Sequence, residues 1–395
     1  MIIQLKKIKF HPRLFFSLSF LVIALSLSFY GLGEIKRLKS EVSSLRGVGK
    51  QLELNREELQ SLKNQDQYKI NQKLNKEIDD INTTYKRAAI SFESLDDLSL
   101  TTKKTDDMKK DFAAILNFLS ERNYASAAAK IAFLDSEIKK EKDRITSSFS
   151  SSIIDNANIV SSVSPPGAGY QRQQVGVLES SFVVDVVAAD LSSTRIIVDT
   201  ASTSDCRDNC PVLSLSDYIS RNGAWAGVNG SYFCPASYPS CAGRANSFDT
   251  LLMNKNKVYF NSENNVYSNV PAAIFLPGSI RFVGRSLEWG RDTGVDGVLA
   301  NQPLLLSGGN VVFGGDGDPK KGSRGTRSFV GSKGGTAYIG VVHNVTVAEM
   351  AHVLAALGLE NALNLDSGGS TALWAGGYKA GPGRNIPNAI LFVGK

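Results

Sequence analysis

Three kinds of hydrophobic patterning follow one another along the chain. Leu14 to Leu32 (LFFSLSFLVIALSLSFYGL) is an apolar run without a charge, close to the roughly 20 residues a helix needs to cross the hydrocarbon core of a bilayer. From about Glu34 to Ser147, apolar residues recur at helical spacing among Lys, Glu, Asp and Gln. Ile35, Leu38, Val42 and Leu45, continued by sevens at Leu52 and Leu59, form a coiled-coil seam. Ile78, Ile81 and Tyr85, then Phe112, Ile115, Leu116 and Leu119, predict further amphipathic helices folded back as a hairpin, and Ala125 to Ile145 predicts another. Beyond Val175 the pattern changes to short alternating or apolar runs, as strands have: Val175 to Ala188, Thr194 to Val198, Val258 to Phe260, Ala272 to Phe275, Leu304 to Leu306, Ala337 to Val342 and Ala389 to Val393. Two strong helices interrupt them. Ser214 with Asp217 opens the first and Gly223 closes it; Thr346 and Glu349 make a capping box for the second, which Gly358 ends.

Many strands, few helices and no regular β-α alternation predict an α+β domain around a mixed sheet. The implied order is a cytoplasmic tip and transmembrane anchor over 1–33, a helical coiled-coil stalk over 34–147, a Ser/Pro/Gly linker over 148–170 and the globular domain over 171–395. Lys6, Lys7, Lys9 and Arg13 precede the apolar run without a clear small-x-small site after it, which favours an uncleaved anchor in the lipid bilayer over a signal peptide. The stalk reads first as a spacer, with a homo-oligomer as a partnership its seam permits.

Charge changes this picture little. The formal net charge is +6, but the lysines are scattered over the stalk, so a solvated face explains them and nucleic acid is not an expected partner. Cysteine changes it more. All four lie close together, as Cys206-Arg-Asp-Asn-Cys210 and Cys234-Pro-Ala-Ser-Tyr-Pro-Ser-Cys241. The second spacing is too wide for an ordinary zinc site. Of three available pairings, the two local disulfides are expected, which places the C-terminal domain outside the cytoplasm.

Candidate chemistry centres on NALNLDSGGSTALW, where an apolar run delivers a lone carboxylate, Asp366, into a glycine-rich bend. Four segments fall in order: Gly227-Val-Asn-Gly-Ser-Tyr-Phe233, Gly325-Thr-Arg-Ser-Phe-Val-Gly331, Asn364-Leu-Asp-Ser-Gly-Gly-Ser370 and Gly383-Arg-Asn-Ile-Pro-Asn388. In order and spacing they resemble the phosphodiester glycosidase family over roughly Val175 to Val393. Ser367 stands where the family usually has Gly, and Ser231-Tyr232 where Gly-Phe is common. The resemblance implies a hydrolase that cleaves the sugar C1–O bond of a sugar-1-phosphodiester in an envelope glycan or exopolysaccharide. Asp366 would face the developing ring cation, which a carboxylate can stabilise, attack or supply with activated water. Arg327 and Arg384 suit the phosphate, since a guanidinium binds two phosphate oxygens at once. Asn229, Ser370 and Asn388 would hold sugar or phosphate, and Gly368 and Gly369 would offer backbone N–H groups. The rival is a catalytically silent glycan-binding module on a stalk.

Two look-alikes fail. A serine-protease triad needs a histidine, but His11 precedes the apolar run, His352 lies in the capped helix and His343 reads as an ordinary strand-end residue. Asp292-Thr293-Gly294 supplies a second Asp-Thr/Ser-Gly for an aspartic protease but lacks the preceding apolar run. No cofactor is expected. Asp316-Gly-Asp318 is where calcium would be considered, with a hairpin turn as the preferred reading.

Overall fold

The computed structural model describes residues 12–152, 160–161, 164–177, 180–261 and 269–395. The basic residues Lys6, Lys7 and Lys9, His11 and the middle of the Ser-rich linker lie outside the described residues. Four helices come first: α1 (Pro12–Asn64), α2 (Asp66–Ser99), α3 (Asp106–Ser120) and α4 (Tyr124–Ser152). The expected anchor falls in α1, where the side chains of residues 12–20 and 22 are outside the described set. Among the described residues no helix is long and apolar enough to cross a membrane.

The chain divides into two compact units, 1–81 and 82–395, with the division inside α2. In the first unit the seam residues of α1 are exposed. In the second, the expected fold-back is present, and the helix expected over Ala125 to Ile145 packs with it. Leu95 and Leu98 of α2, Ile115 and Leu119 of α3, and Ile131, Leu134 and Ile138 of α4 bury one another in a small core of their own. Asp106 and Asp107 in the first turn of α3 complement its N-terminal partial charge.

Three sheets form the rest. The largest runs Val160–Ser161, Gly169–Val177, Ser180–Asp190, Thr336–Val345, Gly325–Lys333, Asn361–Ser367, Leu304–Ser307 and Asn310–Val311. Only its first pair is parallel, so the sheet is mixed by a single short strand. The apolar run Val175 to Ala188, expected as one strand, is divided between two that pair antiparallel from Gly169 opposite Ala188 to Val177 opposite Ser180. A five-stranded sheet has the order Tyr378–Ala380, Leu373–Ala375, Ala226–Asn229, Asn388–Gly394, Thr194–Thr200. Another five strands, built around Gly297–Ala300, complete the domain.

Both expected helices have their caps: Ser214 with Asp217 ahead of Leu215–Asn222, and Thr346 with Glu349 ahead of Val347–Ala356. The second packs Met350, Val353 and Leu354 against Phe329 and Ala362 on one face of the large sheet. On the opposite face, Leu363 and Leu365 meet Val228, Ile390 and Phe392 of the five-stranded sheet. The strand Asn361–Ser367 is therefore buried on both sides. A one-residue slip would exchange Ala362 with Leu363 and empty or overfill both cores, so register is locked where Asp366 emerges.

Candidate active site

The four sequence segments converge where the large sheet meets the five-stranded one. Asp366 is the penultimate residue of Asn361–Ser367. Its N–H donates to the Gly230 carbonyl at 3.0 Å, and its own carbonyl accepts from the Asn229 Nδ2 at 2.7 Å. Asn229 is fully buried. Its Oδ1 accepts from the Ser328 hydroxyl at 2.7 Å and from the Ala372 N–H at 3.1 Å. One amide thus ties Ser328, Asp366 and Ala372 together. Asn388, also buried, holds the next loop: its Oδ1 accepts from the Ser231 N–H at 2.9 Å and its Nδ2 donates to Ser231 Oγ at 3.2 Å.

The Asp366 carboxylate accepts from the Ser367 N–H at 2.9 Å. Burial pushes its pKa up to about 7, against the pull of the Ser370 hydroxyl, the Ser367 N–H and Arg384, while Asp97 adds to the rise. A carboxyl poised near neutrality has the property expected of a reacting group. The bend beyond it is a short 3-10 turn, Gly368–Ser370. Gly368 has φ +67, a left-handed conformation that favours glycine. A Cβ on Gly369 would come within 2.5 Å of Arg384 Nη2 and 2.6 Å of Leu100 Cδ1, so a larger residue there would push these side-chain ends off the bend. The Ser367 hydroxyl turns back to the Leu365 carbonyl at 3.2 Å. The residue that departs from the family pattern thus engages its own backbone.

The two arginines differ. Arg327 lies opposite Ser367 in the sheet, and its Nη2 donates to the carbonyls of Lys320 at 2.7 Å and Ser323 at 2.6 Å. It pins the short helix Pro319–Gly322 against the site, and burial lowers its pKa although Tyr232 and Asp366 favour its charge. Arg384 is held by its backbone, whose N–H donates to the Gly369 carbonyl at 2.7 Å. Its Nη2 pairs with Asp97 and lies 3.7 Å from Asp96. Its Nε and Nη1 are buried with no hydrogen-bond partner among the described residues. Burial opposes its charge, but Asp97, Tyr238 and Asp366 hold its pKa above the ordinary value. A buried guanidinium with two unmatched donors suits a doubly accepting anion.

Asp97 and Tyr238 were not foreseen. Asp97 sits on α2, far away in sequence, and a pair of acids on a helix carries no signal of where it docks. Tyr238 sits inside the Cys234–Cys241 loop, with the Arg384 guanidinium 4.8 Å from its ring centroid. Both expected disulfides are formed, Cys206–Cys210 and Cys234–Cys241, and there are no free cysteines.

The look-alike motifs have local duties. Asp292 accepts from the Gly294 N–H at 2.7 Å, a turn closed by its own side chain. His343 bonds the buried Asp185 at 2.7 Å, and His352 is exposed on its helix. Asp316 pairs with Lys321, and Asp318 caps the helix Pro319–Gly322.

No curated protein matches the chain. Among solved structures, it is similar to a hypothetical protein from Synechocystis (13% identity, 57% of this chain and 62% of that one, TM-score 0.42). It is also similar to the zebrafish N-acetylglucosamine-1-phosphodiester alpha-N-acetylglucosaminidase catalytic domain auto-inhibited by pro-peptide (14% identity, 57% of this chain and 83% of that one, TM-score 0.43). The match thus spans under two thirds of the length of the Synechocystis chain. Residues 222–393, which contain Asn229, Arg327, Asp366 and Arg384, match the phosphodiester glycosidase family model.

Proposed function

We propose that this domain hydrolyses the C1–O bond of a sugar-1-phosphodiester, releasing free sugar and a phosphomonoester, with Asp366 as the reacting carboxylate. The observation that carries the proposal is the shared site of Asp366, its pKa raised to about 7, and Arg384, with two guanidinium donors unmatched. Arg384 and the backbone of Gly368 and Gly369 hold the phosphate. Ser370, whose hydroxyl engages Asp366, keeps the carboxylate aimed. Asn229 and Asn388 serve the substrate through the loops they fix, and Arg327 through the helix it pins. As the C1–O bond breaks, positive charge builds on the ring and the ionised Asp366 opposes it. The departing group is already an anion, so a strong acid opposite Asp366 is unnecessary.

The context of this reading is an exported enzyme, anchored through Leu14 to Leu32, acting on an envelope glycan or exopolysaccharide. Two disulfides support export, since such bonds persist in oxidising compartments. The test is incubation of the purified chain with a panel of sugar-1-phosphodiesters, scoring phosphomonoester and reducing sugar. Binding across the panel without turnover by any form of the chain would select the silent glycan-binding module instead.

A further inference from the structure

We propose that the three-helix segment of residues 82–152 is a latch that closes the phosphate subsite, with the Asp97 carboxylate standing where a substrate phosphate oxygen would bind. The proposal rests on the site reading above and concerns its regulation. Asp97 pairs with Arg384, the residue with unmatched donors, and bonds Tyr238. A Cβ built on Gly369 would also meet Asp97 Oδ1 at 2.7 Å, so the carboxylate covers the backbone that the phosphate needs. Leu100, just beyond α2, lies against the same glycine. An anionic diester cannot share this position, because two like charges would compete for one guanidinium.

Around this contact runs a ring of polar ties. Asp96 accepts from Ser237 Oγ at 2.7 Å, and Glu93 pairs with Ser240 and, at 3.3 Å, with Lys320 Nζ. Every one joins α2 to the rim of the site. The apolar bookkeeping is different: the three helices bury Leu95, Ile115, Ile131 and their neighbours among themselves, while the other core clusters draw only on residues beyond 168. A body with its own core, attached by exchangeable charges, can leave without unfolding itself or the domain. Substrate then binds only the unlatched fraction, and apparent affinity is reduced by that fraction.

The test uses the full chain, its Asp97→Ala variant and the double variant Asp97→Ala/Arg384→Ala, with inorganic phosphate as probe in calorimetry and N-acetylglucosamine 1-(methyl phosphate) as substrate. Asp97→Ala should bind phosphate about tenfold tighter or more, the effect of one charge-assisted contact removed, and the double variant should lose this gain. Deuterium uptake at residues 369–384 should rise in Asp97→Ala while the melting temperature of the domain holds. Unchanged phosphate affinity and uptake would overturn the latch. So would loss of turnover at unchanged KM, which would make Asp97 a catalytic residue. Tighter phosphate binding without turnover in any variant would uphold the latch and refute the hydrolase reading.

A different observation carries a second proposal: the geometry points to a parallel two-stranded coiled coil between two copies of α1. Ile35, Leu38, Val42, Leu45, Leu52 and Leu59 are 47% to 70% exposed. With Ile35 at position a, the a sites are Ile35, Val42, Gly49 and Arg56 and the d sites are Leu38, Leu45, Leu52 and Leu59, so the seam is apolar on both sides over its first two heptads. β-Branched residues at a with leucine at d favour two parallel strands. Charge agrees: in a parallel pair Glu34 faces Lys39 of the second copy and Glu41 faces Arg46. An antiparallel pair sets g against g and e against e, and neither glutamate meets these bases. Because the native cysteines are all bridged, Leu38→Cys adds a single free thiol, which should oxidise to a covalent dimer. Glu41→Lys should weaken the dimer about tenfold, as repulsion replaces attraction at both symmetric pairs, and Glu41→Lys/Arg46→Glu should restore it. A monomer at micromolar concentration, or a dimer that Leu38→Cys fails to link, would overturn the proposal.

Discussion

Replacing Asp366 with Asn should stabilise the domain at alkaline pH while abolishing its chemistry. In the folded chain burial raises this carboxyl from 3.8 to about 7. The folded state therefore holds a proton that the unfolded chain releases. The sign follows: this group's contribution to stability is fully present below about pH 4 and is lost as pH rises through about 7. Roughly three pKa units at 1.36 kcal/mol each amount to about 4 kcal/mol of strain when Asp366 is ionised. Asn keeps an acceptor for the Ser367 N–H, never ionises, and gives up the attraction to Arg384 and the charge that strengthens the Ser370 hydrogen bond. Urea unfolding of wild type and variant, followed by Trp225, Trp289 and Trp374, should show a relative gain for Asp366→Asn at pH 8 over pH 4.5 of about 3 kcal/mol. In the same preparations kcat should fall by orders of magnitude, because the charge that opposes the ring cation is absent. A pH-independent loss of about 1 kcal/mol, with turnover per folded molecule intact, is what an ordinary turn aspartate would give. That result would refute both the buried-acid account and the catalytic one.

The two arginines should separate. Arg384→Ala should raise KM for anionic diesters at least tenfold with a small change in melting temperature, whereas Arg327→Ala should cost about 2 kcal/mol of stability by removing the charge-assisted hydrogen bonds to the Lys320 and Ser323 carbonyls; isothermal binding and thermal melts on both variants check this. Asn229→Ala should destabilise by about 3 kcal/mol, since it strands the Ala372 N–H, the Ser328 hydroxyl and the Asp366 carbonyl. The acid limb of kcat/KM should lie near pH 7 and shift to lower pH in Asp97→Ala, because Asp97 is among the groups that raise the Asp366 pKa; a pH-rate profile of the two proteins reads it directly.

Local chemistry was legible in the chain itself. The capping boxes at Ser214 and Thr346, the strand that ends at Asp366 and the two short disulfide loops all depend on residues within a few positions of one another. Spacing therefore points to them, although four cysteines still allowed three pairings, and the order of the four site segments carried a family resemblance before any fold was known. The division of Val175 to Ala188 between two strands was less visible, because a continuous apolar run looks the same before and after a turn. Tertiary structure alone decided the roles of the charges. Arg327 and Arg384 have equal chemistry, yet one meets backbone carbonyls and the other meets Asp97, brought to it by a helix far away along the chain. The Asp366 pKa is likewise a product of packing, since Arg384 and Asp97, which act on it, come from elements that no local pattern links to it. Side-chain type sets what a group is able to do, and the company that folding assembles around it sets its charge, its partner and whether a substrate can reach it.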